Sequence, residues 1–347
     1  MTGDQAAVTE PEINVFMEQL KRRTKFIVPP DGFDVRGACP QQLIDLGLPP
    51  RPEDPQLRRM WNVFFAGSPK FCDADTLTIA KGTGDQPVRA KQRHTPDSLA
   101  ALPGHVLSSL NWSGATVAPS GGRRFREICG IWKVPPVTAP PPPPSGTAKE
   151  YFSSIFIGLD GQRRYFDASL PQIGTRQDIT AEGVRYETWF QWFTLNTDNW
   201  PTKLGVRVTP GQQVMAWITV LTPTKVRMMI RNFDRVPPEA CIFEVDACKV
   251  ATVGGMRQPR VSGATAQWIF ERPTSKAGVF ETLPVFDEVA FADCFAVADG
   301  TAAGPKVHEL VGARLHRMRE RRAAPYRAVK LAVPDMPPGL RLRIRRA

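Results

Sequence analysis

Tyr186-Glu187-Thr188-Trp189-Phe190-Gln191-Trp192-Phe193 decides the fold class. Successive side chains of a strand point to opposite faces, so Glu187, Trp189 and Gln191 share one side of this segment and Thr188, Phe190 and Trp192 the other. Runs of the same texture recur at Glu127 to Val134, Tyr151 to Leu159, Gln213 to Leu221, Lys225 to Ile230 and Thr265 to Phe270. Gly, Pro, Asn or Asp divide them at roughly eight- to twelve-residue intervals, the punctuation of an all-β sandwich or barrel. The expected organisation is a β-sandwich over 107–300, a helical and loop extension over 1–106, and a basic extension over 301–347.

Outside the strand-like region the period changes. Pro11 opens a helical pattern with Ile13, Phe16, Met17 and Leu20, and Pro55 opens another with Leu57, Met60, Trp61 and Phe64. Between them, Leu43 to Pro50 reads as a short helical turn stopped by Gly47 and Pro49. Residues 67–107 lack any period and read as a long connection. Beyond Pro305, the stripe Val307, Leu310, Val311, Leu315 and Met318 predicts a helix with a basic face, with His308 and His316 on its surface. Leu340 to Arg345 alternates apolar and basic residues as an edge strand does, and Pro140 to Pro144 reads as a polyproline II surface loop.

Charge and composition exclude several classes. The net charge of +11 is uneven: residues 312–347 hold eleven Lys/Arg against Glu320 and Asp335, leaving +2 for residues 1–311. Contact with nucleic acid or an anionic surface is therefore an expectation for 312–347 alone. No apolar run approaches the length of a membrane span, and the polar start, Met1-Thr2-Gly3-Asp4-Gln5, lacks the pattern of a signal peptide. A cytoplasmic location is expected, with non-classical export left open. The six cysteines lie far apart without a C-x-x-C pair; free buried thiols are expected, with a Cys241–Cys248 bridge as the alternative. Four histidines, none between 106 and 307, give neither a triad nor a metal cluster in the β region, and no nucleotide-binding motif occurs. No cofactor and no metal are expected.

Six phrases remain, and their order and spacing carry more than any one of them: Asn111-Trp112-Ser113-Gly114, Trp132-Lys133-Val134-Pro135, Phe156-Ile157-Gly158-Leu159-Asp160-Gly161, Leu170-Pro171-Gln172-Ile173-Gly174, Tyr186 to Trp192, and Ala266-Gln267-Trp268-Ile269-Phe270-Glu271-Arg272-Pro273. Together, from about 108 to 298, they resemble the glutamic peptidase family, the eqolisins. The resemblance implies a concanavalin-A-like antiparallel sandwich whose concave face takes an extended peptide. It also implies a catalytic glutamine and glutamate, the acid activating water and the amide steadying the oxyanion. The glutamine maps onto Gln172. The glutamate of the family's A-E-W-I phrase maps onto Gln267, and the family's W-Y-E-W appears here with Gln191 in place of its carboxylate.

An amide cannot accept a proton from water at ordinary pH, so the resemblance implies a peptide groove that is catalytically silent or weakened. Its lining is expected to comprise Gln172 and Gln267 with Phe156, Asp160, Glu187, Trp189, Gln191 and Glu271. An active acid endopeptidase remains open, with Asp160, Glu187 or Glu271 as a relocated base; so does a lectin-like or scaffold module. Gln267 alternatively reads as an amide satisfied within the core. Trp112, Trp132, Trp192 and Trp268 read as sandwich core, and the sequon Asn111-Trp112-Ser113 as a turn.

Overall fold

The computed structural model describes residues 10–73, 78–79, 106–141, 150–161, 169–194, 201–248, 250, 258–273, 280–301, 304–322, 327–335 and 339–347. Three helices, α1 (Glu10–Arg22), α2 (Pro40–Asp45) and α3 (Pro55–Phe64), precede most of the strands. The strands are β1 (Thr24–Phe26), β2 (Lys70–Phe71), β3 (Thr78–Ile79), β4 (Val106–Ser109), β5 (Trp112–Val117), β6 (Phe125–Lys133), β7 (Tyr151–Leu159), β8 (Leu170–Thr180), β9 (Gly183–Phe193) and β10 (Thr202–Leu204). They continue as β11 (Gln213–Thr222), β12 (Lys225–Asn232), β13 (Glu239–Asp246), β14 (Ala266–Glu271), β15 (Glu288–Thr301), β16 (Gly304–His308), β17 (Arg314–Arg322), β18 (Arg327–Pro334) and β19 (Leu342–Arg346).

Pairing sorts these into two mainly antiparallel sheets. One runs β10-β9-β8-β7-β14-β5-β17, and the other runs β1-β13-β12-β11-β6-β15. Between them lies the main core, in which Ile155, Ile157, Ile173, Phe190, Trp192, Trp268 and Phe270 of the first sheet meet Ile128, Trp132, Val214, Ile218, Met228 and Phe243 of the second. An all-β sandwich follows from the alternation read in the sequence.

The second sheet is apolar on its other face as well. Cys129, Ile131, Met215, Trp217, Met229, Ile242 and Phe295 are covered there by Leu43 of α2 and by Leu57, Met60, Trp61 and Phe64 of α3. Each such large side chain removed from water contributes roughly 1.5–3 kcal/mol, enough to hold two short helices on the sheet. Asp54 starts α3 by accepting the backbone N–H groups of Gln56 and Leu57 at 2.9 and 3.0 Å. The predicted helices are therefore present, and α2 and α3 cap the sheet opposite the one that carries Gln172, Gln191 and Gln267. Among the described residues, no helix is long and apolar enough to cross a membrane.

Two expectations are corrected. The segment beyond Pro305 is not helical: its stripe is split between β16, a turn through Val311 and Gly312, and β17. The open flank of β5 offers backbone partners to Arg314–His316, and strand pairing there outweighs the weak preference of an arginine-rich segment. β18 pairs with both β17 and β19, and β19 pairs with β15, so these strands join the two sheets along one side. Leu342 and Ile344 of β19 are buried and Arg341, Arg343 and Arg345 exposed, as the alternation predicts, although the strand is paired on both sides. The second correction concerns the cysteines. Cys72, carried beside β13 by the parallel β2 pairing, forms a disulfide with Cys241, while Cys248 is exposed and free. Residues 169 positions apart become neighbours only through the sheet. His94, His105 and Pro142–Pro144 fall outside the described residues.

Candidate functional site

The outward face of the first sheet carries three successive rows of side chains, each crossing β5, β14, β7, β8 and β9 in register. The first row is Thr116, Gln267, Gly158, Gln172 and Gln191. Gln267 and Gln172 thus lie on the same face, two strand spacings or about 10 Å apart between Cα atoms, with a glycine between them. The second row is Gly114, Ile269, Phe156, Gly174 and Trp189; the third is Trp112, Glu271, Ser154, Arg176 and Glu187. Seven of the eight predicted site residues share this face. Asp160 does not.

Each amide uses one N–H of its Nε2 within the protein. Gln172 donates from Nε2 to Oε1 of Gln191 at 2.6 Å, and Gln267 donates from Nε2 to the main-chain carbonyl of Asp160. A carbonyl can only accept, so the second bond fixes which end of the Gln267 amide faces it. Oε1 of Gln172, Oε1 of Gln267 and Nε1 of Trp189 are buried without a hydrogen-bond partner. Leaving one such atom unpaired costs about 1–3 kcal/mol, so three on one face mark it as more than packing. Gln172, Gln191 and Gln267 are 5%, 5% and 0% exposed, so the row is enclosed where an open groove was expected.

Asp160 ends the β7 phrase with φ +66°, and its carboxylate turns away from the rows. It accepts from Ser262 N at 2.6 Å, Ser262 Oγ at 2.9 Å, Gly263 N at 3.1 Å and Ala264 N at 2.7 Å. Burial raises its pKa and these donors pull it back. With its lone pairs occupied it is placed to hold the 262–264 segment and to aim its own carbonyl at Gln267. The carboxylate is thus not part of the groove lining, and it is a poor candidate for a relocated base.

The other two carboxylates differ from each other. Glu187 is paired with Nζ of Lys203 at 2.7 Å. Glu271 is held by neutral donors: Trp112 Nε1 donates at 2.8 Å, Asn111 Nδ2 at 3.2 Å and Ser154 Oγ at 3.4 Å. Burial of its carboxyl outweighs these donors and lifts its pKa from 4.5 to about 7. It is four residues from Gln267 along β14, about 13 Å, so the two cannot serve one water molecule.

Several residues of the face escaped the sequence. Trp112, expected in the core, instead lies with Phe156, Leu170, Trp189 and Ile269 in a separate apolar cluster on this face. Phe156 stands edge-on between Trp112 and Trp189, with ring centroids 5.9 and 6.1 Å away. Trp132, Trp192 and Trp268 are core, as expected. His316, expected on a helix surface, is buried on β17, its Nε2 2.9 Å from Thr116 Oγ1 and its ring edge-on to Trp112. His308, on β16, is edge-on to Phe125. Asn111 is buried in a turn in which Ser109 Oγ accepts the N–H groups of Asn111 and Trp112.

The comparisons bear on the family and the fold. The profile of the Peptidase A4 family matches residues 110–322. Scytalido-glutamic peptidase, solved with a peptide-based transition-state analogue, superposes with a TM-score of 0.50 at 15% identity over 69% of this chain and 99% of its own. SCP-B, an eqolisin solved with the tripeptide Ala-Ile-His, gives 0.47 at 16% over 69% and 99%. Aspergilloglutamic peptidase from Aspergillus niger gives 0.44 at 13% over 57% and 99%. At these identities the likeness concerns the fold alone. No curated protein matches the chain.

Proposed function

Because the chain belongs to the Peptidase A4 family, we propose that it binds extended peptides on the three-row face and that Gln267 stands where the family's general base would, leaving hydrolysis silent or severely weakened. We read the two sheets as the concanavalin-A-like arrangement that the family resemblance implies. One observation carries the proposal: the side chain sharing a row with Gln172 is an amide whose nitrogen is tied to the Asp160 carbonyl. It cannot take a proton from water, and losing a placed general base typically costs about 10²–10⁴-fold. Gln172 spends one of its two N–H donors on Gln191, which leaves a single N–H for a bound or developing oxygen. What these groups can still do is hydrogen-bond a peptide backbone through the two oxygens, the remaining N–H of Gln172 and the Trp189 indole N–H. Purified protein incubated with an unfolded protein from pH 2 to 7 is expected to leave it intact; robust cleavage abolished by Gln172→Ala would overturn the proposal.

A second reading has one observation in its favour. Glu271, with a pKa of about 7 and neutral donors around it, is the carboxyl on this face suited to proton transfer. If cleavage occurs, this reading puts the scissile bond beside Ser154 and Trp112, in the third row, and Glu271→Gln abolishes it.

A further inference from the structure

Leu170 opens β8 two residues before Gln172, on the same face, and it is 4% exposed. A β-carbon placed on Gly158, the glycine between the two amides, would meet Leu170 Cδ1 at 2.7 Å and Gln172 Cβ at 3.4 Å. One placed on Gly161, where φ is +80°, would meet Leu170 Cδ2 at 2.9 Å and Gln267 Nε2 at 3.2 Å. The leucine side chain therefore lies over both glycines, in the gap that separates Gln172 from Gln267. Around it are Trp112, Phe156, Trp189 and Ile269. The unpaired oxygens belong to the two amides it stands between.

We infer that Leu170 is a built-in occupant of the peptide site and the residue that sets which ligand side chain the amide row accepts. The inference rests on the peptide-binding proposal above. In the wild type the space between the amides is filled by an aliphatic group of the chain itself, so a peptide residue that enters there must be small. Shortening Leu170 exchanges an internal side chain for an external one: an apolar pocket bounded by aromatic rings and rimmed by two amide oxygens then fits a peptide carrying a leucine-sized residue. Burying that side chain should tighten binding by about 10- to 100-fold.

The test uses the full chain and two fluorescein-labelled hexapeptides, Ala-Ala-Leu-Ala-Ala-Ala and its counterpart with Gly for Leu, titrated by fluorescence polarisation. Leu170→Ala should bind the leucine peptide about 10- to 100-fold tighter than the wild type does and leave the glycine peptide within about threefold. Leu170→Val, which removes one methylene and keeps the cluster packed, should fall between them and covers the case in which the alanine variant does not fold. Equal affinity of wild type and both variants for the leucine peptide would overturn the role of Leu170 while leaving peptide binding standing. No binding of either peptide by any folded form would overturn both.

Discussion

Replacing Gln267 with Glu tests the chemistry and the architecture of the amide row together. The wild-type amide donates to the Asp160 carbonyl at a fully buried position. A glutamate can keep that bond only while protonated; once ionised it sets oxygen against oxygen, with no water to relieve it. Its folded pKa should therefore rise well above 4.5. Burial carries Glu271, on the same strand, from 4.5 to about 7, and a displacement of that size corresponds to about 3 kcal/mol. Since the folded value lies above the unfolded one, Gln267→Glu should match the wild type below pH 4.5. It should lose stability progressively between pH 4.5 and 7, reaching a deficit of about 3 kcal/mol above pH 7. Urea unfolding of both proteins at each half pH unit gives that difference directly. Cleavage of an unfolded protein by the variant should rise about 10²–10⁴-fold over the wild type and titrate along the same curve. A well-folded variant whose deficit is flat with pH, or which gains no cleavage, would refute the geometry assigned to this row.

Further perturbations address neighbouring groups. Glu271→Gln should abolish a loss of stability of at most about 3 kcal/mol between pH 4.5 and 7, because the wild-type carboxyl folds most favourably protonated; an unchanged slope in urea titrations would contradict its burial. Asp160→Asn should cost about 2–4 kcal/mol, since an amide nitrogen cannot accept the N–H groups of Ser262 to Ala264; thermal melts within error of the wild type would show the cage to be dispensable. Trp189→Phe removes an indole N–H that has no partner. Folding stability should stay within about 1 kcal/mol of wild type while peptide affinity falls about tenfold, and the reverse pattern in parallel melts and titrations would assign the indole to packing. Reducing Cys72–Cys241 should lower the urea midpoint by the equivalent of about 2–5 kcal/mol, read by denaturation with and without dithiothreitol.

Local pattern predicted what local physics controls. The alternating runs at 127–134, 151–159, 186–193, 213–221 and 225–230 are β6, β7, β9, β11 and β12, because short β-branched and aromatic runs between turn residues favour strands whichever face is covered. The stripes at 13–20 and 57–64 are α1 and α3 for the same kind of reason. Where the outcome depends on partners distant in sequence, the pattern misled. Leu315 and Met318 fit a helical stripe, but Leu315 is paired with Ala115 of β5 and Met318 with Ser109 of β4, about two hundred residues earlier. Cys72 and Cys241 are joined by a parallel pairing that no spacing reveals. Gln172, Gln191 and Gln267 were legible from their phrases. Leu170 was hidden because any β-strand can begin with leucine, and His316 because its partner Thr116 sits in a different strand. Asp160 stood out in its phrase, but the direction of its side chain depends on the 262–264 backbone.

The most direct measurement incubates the wild-type protein with one equivalent of a labelled extended peptide at pH 4, isolates the complex by size exclusion, and weighs the bound peptide by mass spectrometry. A peptide recovered at its full mass after prolonged incubation is the predicted outcome. Fragments that accumulate with time, and that vanish in Gln172→Ala, would contradict it.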